Sequence, residues 1–156
     1  MKPATYWIEK YQMLPHPEGG YYKELFRSEL KIDGGWGTRN ALTSIFYLLE
    51  GNDYSAFHRI KSDELWYYHA GETLLTHEIK ASGELIIHTI NAENPFAAIA
   101  PGSWFASEVK DQKGYVLVSC AVAPGFDFAD FELAETSALV KSYPQHDTLI
   151  NRLKRH

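Results

Sequence analysis

Cysteine is nearly absent from this chain of 156 residues, which has only Cys120. A single cysteine cannot form an intramolecular disulfide, so the disulfide-stapled class of small secreted domains is excluded and a reducing compartment is favoured. Long apolar runs are absent too, and the opening residues, MKPATYWIEKYQ, lack the apolar core of a signal peptide. We therefore expect a cytoplasmic protein with no membrane partner.

Basic residues are also scarce. Lys and Arg total 15 against 20 Asp and Glu, which gives a formal net charge of −5. The main basic cluster is the tail, with Arg152, Lys154 and Arg155, and the dipole of a terminal helix accounts for it. We expect no nucleic-acid partner. Because no repeat, low-complexity tract or linker interrupts the chain, residues 1–156 are predicted to form a single domain.

Aromatic residues, by contrast, are abundant at 14% of the chain. They favour strands and also line small-molecule pockets. Between residue 21 and about residue 122, short strand-like segments alternate with turn signals, a pattern that predicts an all-β barrel or sandwich. The predicted strands are 21–28, 43–49, 56–60, 64–68, 73–80, 84–90, 104–109 and 115–122. Helical spacing predicts short flanking helices at 4–13, 134–142 and 146–155, and residues 34–37 are predicted as a loop.

One segment sets glycine, histidine and glutamate at a regular spacing. Six residues separate Gly51 from His58, Glu64 stands six positions beyond His58, and Gly71 closes the segment. Alternate residues of a strand share one face, and a tight turn returns the next strand beside the first. His58 and Glu64 are therefore predicted to converge inside the barrel. Trp66 and Tyr68 share the parity of Glu64 and are expected to face inward with it.

This segment resembles the first motif of the cupins, in which a His-x-His pair and a glutamate bind a metal. Ile60 replaces the second histidine of the pair. Phe105 stands where the histidine of the second cupin motif would be, in the turn 100–105. Two remaining ligands rarely hold a divalent metal tightly. Measured against the motif, the chain is predicted to have no metal and no cofactor.

The resemblance extends over residues 8 to about 133. It is carried by HPEGGYY at 16–22, FHR at 57–59 with DELW at 63–66, APGSW at 100–104 and APGFDF at 123–128. In these segments the chain resembles one branch of the cupin superfamily, known mainly as a domain of unknown function. That branch is similar to the sugar-nucleotide 3,5-epimerases in its barrel and dimer form. The resemblance implies a cupin double-stranded β-helix, or jelly-roll barrel, that forms a homodimer and has a pocket for a small molecule.

An inward His–Glu pair in a concave site is typical of a general base with an orienting carboxylate. The alternative is a hydrogen-bonded pair that only organises the barrel. The candidate catalytic residues are His58, Glu64 and Tyr68, although Tyr68 could equally fill the core. The candidate ligand contacts are Trp66, Phe105, Tyr22, Arg27, His16 and Glu18.

Two of these assignments have explicit alternatives. His16 and Glu18 stand in a Pro/Gly-rich loop that either covers the barrel mouth, crosses to a partner or forms a rigid surface turn. Arg27 either offers a cation to a phosphate or carboxylate or is an exposed strand residue, and Glu24 is expected on the opposite side of the strand. The histidines His69, His77 and His88 are scattered and are expected at the surface or as filler.

Three functions compete for this site. In a metal-independent isomerase or epimerase acting on a sugar-like or other oxygen-rich molecule, His58 would abstract a proton, Glu64 would orient it, and Tyr68 or Tyr22 would return a proton. A binding module would hold a metabolite without reaction. A metal-dependent dioxygenase or hydrolase is disfavoured, because Ile60 and Phe105 replace ligands that it needs.

Overall fold

The computed structural model describes residues 1–155. Its α-helices are α1 (Ala4–Tyr11), α2 (Thr136–Ser142) and α3 (Asp147–Arg152). Its strands are β1 (Leu14–Pro15), β2 (Tyr21–Arg27), β3 (Lys31–Asp33), β4 (Thr38–Asn40), β5 (Thr43–Glu50), β6 (Tyr54–Arg59), β7 (Asp63–Gly71), β8 (Leu74–Ile79), β9 (Leu85–Ile90), β10 (Phe96–Ile99), β11 (Trp104–Val109), β12 (Tyr115–Ala123) and β13 (Glu132–Leu133).

Within residues 1–155 the strands form two antiparallel sheets and a separate β3–β4 hairpin. One sheet has the order β1-β2-β5-β12-β7-β10, and the other has the order β13-β6-β11-β8-β9. Neighbours that are distant in sequence, such as β5 and β12 or β6 and β11, show that the chain winds between the sheets as a jelly roll. The all-β cupin barrel with short flanking helices at both ends is confirmed.

The main core lies between the two sheets. Tyr47 of β5, Trp66 of β7 and Val118 of β12 pack with Leu74 of β8 and Phe105 of β11, and all five are almost fully buried. Alternate positions along each strand point into this core, as the period of a strand requires. The two sheets therefore pack around an apolar core, and Tyr47 and Trp66 of this core also line a cavity.

A second core attaches the C-terminal helices to the outer face of the second sheet. Leu139 of α2, Ile150 of α3 and Leu153 pack there against the strands. Beside them Glu108 accepts hydrogen bonds from His77 at 3.0 Å and from Arg152 at 2.8 Å. Burial opposes the ionisation of Glu108, but these bonds hold its pKa at about 2. His77, expected at the surface or as filler, is buried, and it hydrogen-bonds the carboxylate that fastens α3 to the sheet.

Several element boundaries differ from the sequence prediction. Helix α1 ends at Tyr11 because Gln12 adopts a left-handed conformation, with φ of 52°, and its backbone N–H closes the helix. The predicted loop 34–37 forms the turn of the β3–β4 hairpin. Strand β3 is exposed along its whole length and lacks the alternation that marks a half-buried strand. Strand β10, which also escaped prediction, is a four-residue edge strand paired with β7.

No helix in the described range 1–155 has the length and apolar character needed to cross a membrane.

We predict that Ile150→Ala lowers the free energy of unfolding by about 2–5 kcal/mol, because it opens a cavity in the second core. Ile150 is only 1% exposed. The matched control is Thr148→Ala, an exposed position of the same helix, which should stay within about 0.5 kcal/mol of the wild type. Urea unfolding measures both variants. Equal effects of the two substitutions would contradict the packing of α3 on the sheet.

Candidate functional site

A cavity of about 640 Å³ opens inside the barrel. Its volume lies in the range typical of small-molecule sites. Strands β2, β5, β6, β7 and β12 contribute to its walls, together with the loop before β2 and the segment after β12. The charged or titratable lining residues include His16, Glu18, Lys23, Glu24, Arg27, His58, Glu64 and Asp127. The large apolar or aromatic lining residues include Tyr22, Tyr47, Trp66, Phe126, Phe128 and Phe131.

The loop 16–20 is folded into the barrel by backbone hydrogen bonds. The carbonyl oxygen of Glu18 accepts a bond from the backbone N–H of Ala56 at 2.8 Å, and the hydroxyl of Tyr47 donates to the carbonyl of Gly19 at 2.5 Å. Gly19 has φ of +114°, and a Cβ there would lie 2.0 Å from the carbonyl oxygen of Tyr54. Only glycine fits this position, and the resulting turn directs the Glu18 side chain inward.

The carboxylate of Glu18 is paired with the imidazole of His58. Oε2 of Glu18 lies 2.7 Å from Nε2 of His58, and both side chains are buried. Nδ1 of His58 lies 2.7 Å from the carbonyl oxygen of Ala56. A carbonyl only accepts, so Nδ1 carries a proton, and a neutral ring would then present a lone pair to the carboxylate. A second proton therefore lies between Nε2 and Oε2.

The electrostatics of the pair favour the imidazolium–carboxylate form. Burial alone would lower the pKa of His58, but the charge of Glu18 and its hydrogen bond raise that pKa above its ordinary value. Burial likewise opposes ionisation of Glu18, yet the charge of His58 and its hydrogen bond bring the pKa of Glu18 below its ordinary value. The charge of each group therefore stabilises the ionised form of the other.

His16 supports the loop and remains neutral. Its Nδ1 accepts a hydrogen bond from the backbone N–H of Glu18 at 3.1 Å, so Nε2 carries the proton of the neutral ring. Burial lowers the pKa of His16, against the charge of Glu18. Its ring contacts Tyr22, Phe128 and Phe131, with ring centroids 4.9–6.0 Å apart. His16 thus joins the loop to an aromatic wall of the cavity.

Glu64 is the third titratable group at the cavity, and it is not the partner of His58 that the sequence suggested. Its Oε2 is buried and has no hydrogen-bond partner within the described residues, and the same holds for Nε1 of Trp66. Burial, and then the negative charge of Glu18, raise the pKa of Glu64 to about 7, against the opposing charge of His58. The site therefore holds a carboxyl group that exchanges its proton near neutral pH.

Arg27 and Glu24 lie on the same side of β2, which corrects the expectation that they face apart. A β-bulge between Glu24 and Phe26 shifts the register with β5 and removes the simple alternation. Arg27 donates to Glu24 at 2.7 Å, to Oδ1 of Asn40 at 2.8 Å and to the carbonyl of Phe126 at 3.0 Å. Its guanidinium is thus already occupied at the cavity rim.

The nine candidate residues separate into two groups. His16, Glu18, Tyr22, Arg27, His58, Glu64 and Trp66 all line the cavity. Tyr68 does not, because four residues of strand carry it about 13 Å from Glu64, where its hydroxyl donates to the carbonyl of Gly71. Phe105 is also absent from the lining. It packs behind His58, with a ring-centroid distance of 4.1 Å.

The donor set does not fit the metal site that many cupins carry. Ile60 lines the cavity where a second histidine would stand, and Phe105 is apolar. Both ring nitrogens of His58 are engaged, by Ala56 and Glu18. In residues 1–155 no group of three or more His, Cys, Asp or Glu side chains is placed to hold a metal ion. The absence of a bound metal remains a prediction.

Two features of the site escaped sequence reasoning. The partner of His58 is Glu18, and the paired glycines after it were the available signal, since they permit a turn that buries the preceding side chain. The second feature is the aromatic wall formed by Phe126, Phe128 and Phe131, whose rings pack edge to face. The turn-forming residues around Phe126 gave no indication of which way these rings point.

The barrel, with His58 and Glu64 facing its cavity, defines a cupin. A family model described as Cupin superfamily (DUF985) matches residues 5–134, and the chain belongs to that family. No curated protein sequence matches the chain.

Solved structures agree with this family. A protein from Shewanella oneidensis is 38% identical, with a TM-score of 0.91 over 99% of both chains. A hypothetical protein from Leishmania major is 34% identical, with a TM-score of 0.94 over 99% of this chain and 100% of that one. The oxalate decarboxylase of Lactobacillus farciminis shares the fold at 16% identity, with a TM-score of 0.61 over 94% of this chain and 42% of that one.

The buried carboxyl of Glu64 predicts a specific pH dependence of stability. Its pKa is about 7 in the folded protein against 4.5 for the free side chain, so the native state holds this proton longer than the unfolded state. The wild type should therefore lose stability as pH rises from 4.5 to 7, by about 3 kcal/mol for a shift of this size. Unfolding by urea at pH 4 and pH 8 should show the Glu64→Gln variant gaining that amount relative to the wild type. A pH-independent difference between the two proteins would contradict the buried, protonated Glu64.

Proposed function

We propose that the protein is a metal-independent isomerase or epimerase that moves a proton on a small, oxygen-rich molecule, such as a sugar derivative, bound in the cavity. One observation carries the proposal. A buried imidazolium, His58 with Glu18, and a carboxyl group with a pKa of about 7, Glu64, line the same cavity. Paired titratable groups whose environments separate their proton affinities are the usual sign of acid and base roles.

The charges suggest roles that differ from the sequence-based assignment. The proton between Nε2 of His58 and Oε2 of Glu18 lies at the cavity wall, and a substrate carbonyl oxygen that displaces Oε2 of Glu18 would receive it from His58. Ionised Glu64 is suited to remove the proton from the adjacent carbon, because a base with a pKa near neutral pH is the most effective one. As Glu64 takes the proton, the C–H electron pair forms the carbon–carbon double bond of an enol, and the electrons of the C=O π bond take the proton from His58 to form O–H. Return of the proton from Glu64 to carbon, with loss of an enol hydroxyl proton to the His58–Glu18 pair, re-forms a carbonyl and restores both groups.

The cavity lining supports an uncharged ligand or one of low charge. Glu18 balances His58, and Glu24 balances Arg27. Lys23 and Asp127, which also line the cavity, have opposite charges. The Arg27 guanidinium is bonded to three partners and has little to offer a phosphate. Trp66 and the aromatic wall suit the apolar face of a ring, while His58 and Glu64 suit its oxygen atoms.

A non-catalytic binding module is the second candidate. The aromatic wall favours it, since Phe126, Phe128 and Phe131 supply contact area and no chemistry. Such a module would bind the same class of molecule and leave it unchanged.

The two functions are separated by hydrogen exchange in D₂O. We would incubate the protein with a panel of α-hydroxy ketones and keto sugars and follow loss of the α-proton signal by NMR. An isomerase replaces that proton with deuterium, and His58→Gln or Glu64→Gln should reduce the rate about 10²–10⁴-fold. His69→Gln, at an exposed histidine outside the cavity, is the matched control and should retain the rate.

Binding of a panel member without exchange would support the binding module. A rate that is equal in the wild type and in His58→Gln would contradict the isomerase.

We also propose that the protein forms a homodimer. The family resemblance implies one, and Leu25 and Phe26 of β2 expose about half of their surface, with Leu30 exposed further along. Light scattering at micromolar concentration should give twice the chain mass of 17.8 kDa. A mass equal to that of one chain would contradict the dimer.

A further inference from the structure

The C-terminal residues 153–155 run beside β6, the strand that carries His58. The backbone N–H of Phe57 donates to the carbonyl of Leu153 at 3.3 Å, and the hydroxyl of Tyr54 donates to the carbonyl of Lys154 at 2.5 Å. Arg152, just before this segment, is fixed by its ion pair with Glu108. The segment is therefore attached at both the helix and the strand, although it lies outside the part of the chain that the family model matches.

Arg155 extends this attachment to the loop that carries Glu18. Its Nε donates to the carbonyl oxygen of Glu18 at 3.2 Å, and its Nη2 donates to Oδ1 of Asp53 at 2.6 Å and to the carbonyl of Tyr54. The other oxygen of Asp53 accepts the backbone N–H of Gly20 at 2.9 Å. Arg155 and Asp53 thus hold the peptide groups on either side of Gly19.

The contact between Arg155 and the loop is close as well as polar. A Cβ on Gly19 would lie 2.0 Å from Nη2 of Arg155, so the guanidinium fills the space above this residue. The guanidinium also covers the ring of Tyr54, with its central carbon 4.4 Å from the ring centroid. The planar guanidinium group of arginine can stack on a ring and donate hydrogen bonds in several fixed directions, whereas the ammonium group of lysine cannot.

We propose that Arg155 is a positioning residue, whose guanidinium fixes the backbone of the loop 16–20 so that the Glu18 carboxylate stays on the His58 imidazole. The proposal rests on the proposed function in taking the Glu18–His58 pair as the working part of the site. Arg155 is not among the residues that line the cavity, and its guanidinium donates to Glu18, Asp53 and Tyr54. It acts through Glu18.

The direction in which the pKa of His58 changes when Arg155 is replaced distinguishes positioning from a purely electrostatic effect of the Arg155 charge. The titratable groups that face His58 are Glu18, Glu64 and His16. Removal of the Arg155 cation alone would make a nearby imidazolium more favourable, so His58 would titrate at a higher pH. Displacement of Glu18 removes the charge that sustains His58 in a buried place, so His58 would titrate at a lower pH. Positioning therefore predicts the second direction.

The test is an NMR titration of His58 in protein labelled with ¹⁵N-histidine, which requires no substrate. In Arg155→Ala, His58 should titrate at a lower pH than in the wild type. Arg155→Lys keeps the positive charge but lacks the planar guanidinium group, so His58 should again titrate at a lower pH than in the wild type. Lys154→Ala is the matched control, because among the described residues the Lys154 ammonium hydrogen-bonds only the exposed Asn151. It should leave the titration unchanged.

A double-variant cycle shows whether Arg155 acts through Glu18. Glu18→Gln alone should lower the pH at which His58 titrates, because burial then dominates. If positioning is the mechanism, adding Arg155→Ala to Glu18→Gln produces no further fall. A further fall of the same size as in the wild-type background would overturn the proposal, and so would an unchanged or raised titration in folded Arg155→Ala and Arg155→Lys.

Circular dichroism establishes that each variant is folded, and Arg155→Lys carries the test if Arg155→Ala fails to fold. Failure of this inference is distinguishable from failure of the proposed function. Deuterium exchange in the wild type reports only the second, whereas the His58 titration reports only the first.

Discussion

A buried ion pair, Glu18 with His58, is the interaction on which the rest of the site depends. Removing two charges from water costs several kcal/mol for each ion, and the cost is offset only when geometry and hydrogen bonding are good. Those requirements account for the surrounding structure. The carbonyl oxygen of Ala56 accepts a hydrogen bond from Nδ1 of His58, and the hydroxyl of Tyr47 holds the loop from within the barrel. Gly19 adopts a conformation that a residue with a Cβ cannot adopt there. The pair is a strict constraint on the local sequence.

The same pair sets the chemistry of its neighbour. The negative charge of Glu18 helps to raise the pKa of Glu64 to about 7, while the imidazolium of His58 opposes that rise. One carboxyl is therefore held ionised and another exchanges its proton near neutral pH, within a single cavity. Environments that separate like groups in this way are how one site obtains both an acid and a base. This separation requires no metal, which agrees with the loss of two of the ligands that metal-binding cupins use.

Much of the fold could be predicted because it depends on local patterns. The alternation of apolar and polar residues identified the long strands. The spacing of Gly51, His58, Glu64 and Gly71 predicted that the side chains of His58 and Glu64 lie on facing strands. The partner of His58 could not be predicted in this way, because the contact joins residues 40 positions apart through a turn of positive φ. The bulge in β2 reversed the relation of Glu24 to Arg27, and strand length carried Tyr68 out of the cavity. The cytoplasmic location and the homodimer stay predictions.

Neutron diffraction from a deuterated crystal at pH 6 tests the central claim most directly, because it locates the protons of all three groups. We predict deuterium on Nδ1 of His58, between its Nε2 and Oε2 of Glu18, and on the carboxyl group of Glu64. The last is expected because pH 6 lies below the pKa of about 7. An Nε2–Oε2 line without deuterium, or an ionised Glu64, would contradict the account.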